Sequence, residues 1–266
     1  MAYMECHIFS QALQHNIAIN VIVPTPEGNE QITDRNTQLK YGYQEGLPVV
    51  YLLHGAYGDH SSWIRNSNIE RYVQEYCCIA VMASVENSFY QDMAYGNAYH
   101  TFMTQELPSM ITDIFPASKK REDTYVAGFS MGGYGAWYLG LSCPEKYAKA
   151  ASMSGALDIA SCYELCTSHA IEGPFPWNCI FKDPTTLRDS QVDLLRLYKE
   201  DREKGLLPEL YHACGTGDFM IETNRIMHHK LEALGANVPY HETEGMMHNW
   251  DYWDMEIKNI LKWLFQ

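Results

Sequence analysis

The sequence has 266 residues, of which 46% are hydrophobic and 20% are charged, and its formal net charge is −14. A chain of this size can bury a large core, so we predict one domain over residues 1–266. The acidic balance argues against nucleic acid or an anionic membrane as a partner. The chain does not open with the pattern of a signal peptide, and no apolar run reaches about 18 residues, the length of a membrane span. We therefore expect a cytoplasmic protein.

Strands and helices are predicted to alternate along most of the chain. Residues 3–9 and 15–23 have the pattern of an antiparallel hairpin, and a return strand is expected near the end of 25–46. Further strands are predicted at 47–53, 79–83, 124–129, 149–154, 207–214 and 238–242, and helices at 68–76, 99–115, 131–141, 190–203, 220–234 and 250–265. This order predicts an α/β fold with a mostly parallel central sheet, an N-terminal antiparallel hairpin and helices on both faces.

Two places depart from this regular alternation. Pro108 falls inside the helix predicted at 99–115, where it should kink the helix or lie near its start. Residues 157–188 fit the pattern least well and carry Phe175 and Trp177 among prolines. We interpret 157–188 as an insertion that lies over the active site.

The strand at 124–129 ends in the turn Gly128-Phe129-Ser130-Met131-Gly132, a G-x-S-x-G sequence that leads into a helix. A serine at a sharp strand-to-helix turn is strained, so the residues two positions away on either side must be small. Gly128 and Gly132 meet that condition. Such a turn lifts the Ser130 hydroxyl above the sheet, at a helix N-terminus that favours negative charge. We therefore predict that Ser130 is a nucleophile.

Two later strand ends supply the groups that a serine nucleophile needs. Asp218 follows the strand predicted at 207–214, and His248 follows the last strand. Residues that follow parallel strands meet at one edge of the sheet, and the chain order Ser, Asp, His is that of α/β-hydrolases. His248 is the predicted base for Ser130, and Asp218 is predicted to orient its ring. The alternatives are a turn aspartate and a surface histidine.

The glycine-rich turn at 54–58 ends another buried strand of the predicted sheet. A tetrahedral intermediate needs backbone N–H donors for its oxyanion. One donor is predicted to be Met131, next to the nucleophile, and the second is predicted to be Ala56, with Tyr57 as the alternative. His54 is expected to order this loop through hydrogen bonds and not to act as a base.

Aromatic residues near these loops are candidates for the wall of an acyl or aryl pocket, although most aromatic residues are plain core. The substrate-binding candidates are Tyr57, Trp63, Phe175, Trp177 and Trp250. The eight cysteines are scattered, and no pair of Cys or His residues has the partner spacing of a metal site. We therefore expect reduced cysteines, no metal and no organic cofactor.

Four runs of sequence resemble the esterase D / putative esterase family, closest to bacterial tributyrin esterases, with feruloyl and acetylxylan esterase modules as relatives. They are V-V-Y-L-L-H-G-A-Y-G-D-H-S-S-W from Val49, G-F-S-M-G-G-Y-G-A-W from Gly128, Y-H-A-C-G-T-G-D-F from Tyr211 and E-G-M-M-H-N-W-D-Y-W from Glu244. The resemblance covers residues 3–264 and implies an α/β-hydrolase with short-acyl carboxylesterase activity. By position it implies the roles predicted above for Ser130, Asp218, His248, Ala56 and Met131.

The predicted function is therefore hydrolysis of short-chain esters, acetyl to butyryl and including carbohydrate esters, through an acyl-enzyme on Ser130. Feruloyl ester hydrolysis is the main alternative, with the aromatic residues near 175–177 as an aryl slot. S-formylglutathione hydrolases resemble this chain too but carry a different oxyanion loop, which argues against that thioester. Acyl transfer and a non-catalytic binding role are the remaining alternatives. The resemblance is compatible with a homo-oligomer.

Overall fold

The strands of the described residues form one mixed sheet. The computed structural model describes residues 1–26, 42–171, 173 and 175–266. Its strands are β1 (Ala2–Ser10), β2 (His15–Val23), β3 (Val49–Leu53), β4 (Ile79–Ala83), β5 (Thr124–Phe129), β6 (Lys149–Met153), β7 (Glu209–Gly215) and β8 (Tyr240–Thr243). They lie in the order β1-β2-β4-β3-β5-β6-β7-β8. The β1–β2 and β2–β4 pairings are antiparallel and the others are parallel, which confirms the predicted sheet.

Helices connect most of the parallel strands. They are α1 (Ser62–Asn66), α2 (Ile69–Glu75), α3 (Tyr99–Thr101, Phe102–Glu106 and Leu107–Ile114), α4 (Met131–Ser142), α5 (Ile159–Thr167), α6 (Trp177–Phe181), α7 (Leu194–Lys204), α8 (Ile221–Ala233) and α9 (Trp250–Leu264). Short 3₁₀ turns cover Arg121–Asp123 and Pro184–Thr186. Within the described ranges, no helix has the length and hydropathy needed to cross a membrane.

Pro108 is accommodated inside α3 by a change of helix type. The segment Phe102–Glu106 just before it is π-helical, and the α-helix resumes at Leu107. A proline has no N–H to donate, and its ring crowds the carbonyl four residues earlier. That carbonyl, of Thr104, instead accepts a hydrogen bond from Lys146 Nζ at 2.6 Å. The helix thus continues past Pro108, which lies near the start of the α-helical segment that begins at Leu107.

The sheet is covered on both faces, and β3 shows why its sequence is apolar throughout. Val49, Tyr51 and Leu53 pack into one hydrophobic cluster, which also contains residues of α4. Val50 and Leu52 point the opposite way into a second cluster, which contains residues of α2 and α9. A strand buried on both faces has no position for a polar side chain.

The return strand predicted near the end of 25–46 falls mostly outside the described residues. After the gap, Leu47 forms an isolated bridge with Ala117 before β3 begins at Val49. The prediction for that stretch is therefore not tested.

Candidate active site

The turn between β5 and α4 holds Ser130 in a strained backbone conformation. Its φ is 56° and its ψ is −121°, a combination that a residue with a side chain rarely adopts. A Cβ at Gly128 would overlap the carbonyl oxygen of Gly132, and a Cβ at Gly132 would lie 2.6 Å from the carbonyl oxygen of His54. The two glycines are therefore required by close backbone approaches around the serine.

Ser130, His248 and Asp218 form one hydrogen-bonded chain. His248 Nε2 lies 3.0 Å from Ser130 Oγ, and His248 Nδ1 lies 2.9 Å from each carboxylate oxygen of Asp218. If Nδ1 carries its proton toward the carboxylate, Nε2 is free to accept the serine proton. This geometry satisfies the distance requirement for an activated serine nucleophile.

Asp218 and His248 are held from several sides. The Asp218 side chain is fully buried, and its Oδ1 accepts a hydrogen bond from the Met220 amide at 2.8 Å. The His248 ring packs against Phe219 with centroids 4.4 Å apart and meets the edge of Trp253 at 5.0 Å. A buried carboxylate with few partners interacts strongly with the adjacent imidazole, so the ring orientation is well defined.

The loop after β3 is ordered by hydrogen bonds of the His54 ring, one of which comes from Val85 after β4. The buried His54 ring accepts a hydrogen bond from the Val85 amide at Nε2 (3.0 Å), so Nδ1 donates to the Gly55 carbonyl (2.8 Å). Burial lowers the pKa of His54 to about 4, so the ring is neutral near neutral pH. As predicted, its bonds tie down the loop. The ring has no contact that would let it act on Ser130.

The two candidates for the second oxyanion donor have different surroundings. The Tyr57 amide already donates to Asn87 Oδ1 at 3.0 Å. The Ala56 amide has no hydrogen-bond acceptor among the described residues. Met131 is the first residue of α4, where helix geometry leaves N–H groups unpaired. Ala56, Tyr57 and Met131 all line the same cavity as Ser130. Because the Tyr57 N–H is already paired with Asn87, the N–H groups of Ala56 and Met131 fit an oxyanion site better.

Ser130 and His248 open into a cavity of about 500 Å³ with a largely apolar wall. Of the predicted aromatic residues, Tyr57, Phe175 and Trp250 line it. Trp63 does not. It is fully buried, donates from Nε1 to the Leu53 carbonyl, and packs behind the wall. Trp177 does not line the cavity either.

Several lining residues were not singled out from the sequence. Phe89 lies at the cavity wall in the loop after β4, and Cys162 and Ile171 come from the stretch predicted to be an insertion. Phe219 and Met220 follow the acid. Phe219 and Met220 adjoin Asp218 in sequence and could have been found there. Phe89 has no local pattern that marks it.

The described part of the chain holds no group of three or more His, Cys, Asp or Glu side chains arranged to bind a metal. Its cysteines are all free thiols.

Comparison with known proteins agrees with this site. The family model for putative esterases matches residues 10–264. An acetyl esterase of Caldicellulosiruptor saccharolyticus is 32% identical over 268 residues, covering 99% of this chain and 98% of the relative. The structure of FphF, a fluorophosphonate-binding serine hydrolase of Staphylococcus aureus, superposes with a TM-score of 0.86 at 26% identity, covering 100% and 98% of the chains. A ferulic acid esterase shares the fold at 20% identity, with a TM-score of 0.76 and coverage of 99% and 97%.

The chain therefore belongs to the putative esterase family, as its four sequence runs predicted. It is a serine esterase, a carboxylic ester hydrolase with the α/β-hydrolase fold. The predicted enzyme class is confirmed, and the alternative of a non-catalytic binding protein is set aside.

Proposed function

We propose that this enzyme hydrolyses esters of short acyl chains, acetyl to butyryl, through an acyl-enzyme on Ser130. The observation that carries the proposal is the hydrogen-bonded chain from Asp218 through His248 to Ser130 at the edge of an apolar cavity. The acetyl esterase relative supports a short acyl group. Carbohydrate esters belong to the proposed substrates, since the cavity opens to solvent beside exposed aromatic rings of Tyr57 and Phe219.

Acylation begins when Ser130 Oγ attacks the ester carbonyl carbon and its proton moves to His248 Nε2. Asp218 stabilises the imidazolium that forms. The carbonyl oxygen becomes an oxyanion, which the N–H groups of Ala56 and Met131 bind. The intermediate collapses as His248 returns the proton to the leaving oxygen, so the alcohol departs and the acyl group stays on Ser130.

Deacylation repeats these steps with water. His248 takes a proton from a water molecule, whose oxygen attacks the acyl carbon. The second tetrahedral intermediate releases Ser130, which regains its proton from His248, and the carboxylic acid leaves. No group besides the named residues and water is used in this proposal.

The test is kcat/KM for acetyl, butyryl, octanoyl and feruloyl esters of one alcohol, with Ser130→Ala as the matched control. The expected result is highest activity for acetyl and butyryl, and a loss of about 10⁴–10⁶ in kcat for Ser130→Ala. Wild-type rates in Ser130→Ala would refute the nucleophile. A feruloyl ester equal to acetyl would replace the short-acyl proposal by the feruloyl alternative.

Three further expectations from the sequence accompany the proposal. The stretch 157–188 is proposed as the insertion that shapes substrate choice, since Cys162, Ile171 and Phe175 line the cavity. A cytoplasmic location and a homo-oligomer are also proposed. Light scattering after size-exclusion chromatography tests the homo-oligomer, and a monomer would contradict it.

A further inference from the structure

The wall of the cavity beside Ser130 combines exposed and buried residues. Tyr57 and Phe219 are 77% and 56% exposed. Phe89, Ala156 and Cys162 are buried, with exposures of 0%, 5% and 4%. An ester has two arms, so one arm can lie along the exposed part of this wall and the other against the buried part.

The proton path favours the exposed part of the wall for the alcohol. In the proposed mechanism, on which this inference rests, His248 Nε2 delivers its proton to the leaving oxygen. The alcohol must therefore lie beside the His248 ring. Phe219 packs against that ring with centroids 4.4 Å apart and is itself exposed. The leaving alcohol is therefore assigned to the exposed part of the wall beside Phe219, and the acyl chain to the buried part.

Phe89 belongs to the buried part of the cavity wall and is held in a cluster of aromatic rings. Its ring centroid lies 4.4 Å from Phe175, 5.2 Å from Trp177 and 5.6 Å from Tyr134. Trp177 stacks on it from outside the cavity, with an interplanar angle of 29°. A ring supported in this way cannot move aside without disrupting its neighbours, because such cores are close-packed.

The backbone at Phe89 is strained as well. Phe89 and Tyr90 have φ values of 52° and 60°, in the left-handed region that bulky residues rarely occupy. The Tyr90 hydroxyl donates to the His54 carbonyl at 2.9 Å, which ties this strained pair to the oxyanion loop. Strain of this kind persists only where the surrounding structure fixes it, and it concentrates at functional sites.

We propose that Phe89 is the specificity-determining residue that ends the acyl pocket and sets the longest acyl chain this esterase accepts. The role is steric: a chain that reaches the Phe89 ring meets a supported wall. The proposal concerns the acyl arm alone and predicts no effect of the leaving alcohol on the cutoff.

The experiment compares p-nitrophenyl acetate, butyrate and octanoate in the wild type, Phe89→Leu and Phe89→Ala. The expected result is a rise of about tenfold or more in the octanoate-to-acetate ratio of kcat/KM for Phe89→Ala, and a smaller rise for Phe89→Leu, since each methylene accommodated is worth roughly tenfold or more. Single-turnover deacylation rates are also measured. The acyl-enzyme no longer carries the alcohol, so these rates report on the acyl group alone.

Two further variants make the result specific. Phe181→Leu loosens the same aromatic cluster, at 6.2 Å from Phe89, without lining the cavity, and should leave the ratio within about twofold. Phe219→Leu alters the exposed part of the wall and should change the dependence on the alcohol but not the acyl cutoff. If Phe89→Ala fails to fold, Phe89→Leu decides.

An unchanged octanoate-to-acetate ratio in a folded Phe89 variant overturns the assignment. So does an equal shift in Phe181→Leu, because it would mean that general loosening is the cause. Failure of the wild type to hydrolyse any of these esters, or full activity of Ser130→Ala, would instead overturn the proposed function itself.

Discussion

The catalytic strand ends and the cavity wall are built in different ways. Ser130 stands directly after β5, and Asp218 and His248 follow β7 and β8 by short loops, so backbone geometry brings them to one edge. The wall around Phe89 is instead assembled from side chains that come from separate loops, with Phe175 joining from the stretch after α5. The first region depends on main-chain shape and the second on side-chain packing.

This difference decides how each region should respond to change. At the strand ends, a substitution that shifts one atom of the hydrogen-bonded chain should cost catalysis while leaving substrate preference intact. At the wall, a substitution of similar size should change preference and leave the chemical step intact. The following predictions test the first half of that comparison, and the Phe89 variants test the second.

The largest effect is expected for Asp218→Asn. The amide oxygen would stay paired with the Met220 N–H, so the amide NH2 would face His248 Nδ1 and favour the wrong ring tautomer. We therefore expect kcat to fall by about 10⁴. The relative order of acyl substrates should not change, because Asp218 does not line the cavity. Steady-state kinetics on the acetyl-to-octanoyl series measures both quantities. A fall in kcat of less than tenfold would mean that Asp218 is not the orienting acid.

What the sequence could predict follows the same division. The G-x-S-x-G turn is a local main-chain requirement, so Ser130 was predicted from five adjacent residues. Asp218 and His248 were predicted because parallel strands end at a common edge, and the structure brings both to Ser130. Tyr57 and Trp63 were both predicted to bind substrate, because they are aromatic residues near a loop of the site. The structure places Tyr57 in the cavity wall and Trp63 behind it, since burial depends on distant partners.

The missed residues have the same cause. Phe89 is part of the wall only because Phe175 and Trp177 approach it from a stretch that shows no regular period. No spacing within the loop after β4 indicates that contact. Pro108 was predicted to kink the helix or to lie near its start, because proline acts on the carbonyl four residues earlier, a local effect. The π-helical turn that precedes it was not predicted.

After Asp218→Asn, the next largest effect is expected for Gly132→Ala. Its new Cβ would lie 2.6 Å from the His54 carbonyl oxygen and 2.7 Å from that of Leu53, and main-chain atoms cannot turn aside as a side chain can. We expect a loss of about 1–3 kcal/mol in the free energy of unfolding. A displacement of about 1 Å at the turn would lower kcat by roughly 10². Urea unfolding and steady-state kinetics provide the two measurements.

Gly235→Ala is the matched control for that substitution. Gly235 has a φ of 70° but no atom within 4 Å of a would-be Cβ, and it lies after α8, away from the cavity. It should lose about 1 kcal/mol of stability through its backbone conformation and keep its kcat. Equal losses of kcat in both variants would contradict the claim that the turn needs glycine for catalysis.

A smaller effect concerns His54 and appears as a pH dependence of stability. Burial lowers its pKa to about 4 in the folded state, against about 6.5 when unfolded. The unfolded chain therefore binds the extra proton first as pH falls, so stability is lost between about pH 6.5 and 4. By pH 5 this one ring should account for about 2 kcal/mol of destabilisation relative to pH 7.

Urea unfolding of His54→Asn at pH 7 and pH 5 isolates that contribution. The variant should be less stable at pH 7, because the bonds to Gly55 and Val85 are lost, yet its drop between the two pH values should be smaller by about 2 kcal/mol. Other buried histidines affect both proteins equally. If the free energy of unfolding fell equally in the two proteins, His54 would have to be protonated in the folded state at pH 5, and its pKa would not be lowered by folding.

The smallest effect, expected for Asn87→Ala, decides between the two candidate oxyanion donors. Asn87 Oδ1 accepts the Tyr57 amide and so anchors the loop that carries Ala56. If Ala56 is the donor, losing this anchor should lower kcat about fivefold, the value of one hydrogen bond of about 1 kcal/mol. If Tyr57 is the donor, the substitution frees its N–H for the oxyanion, and kcat should hold or rise. Acetyl ester kinetics at saturating substrate separates the two, because KM should change little in either case.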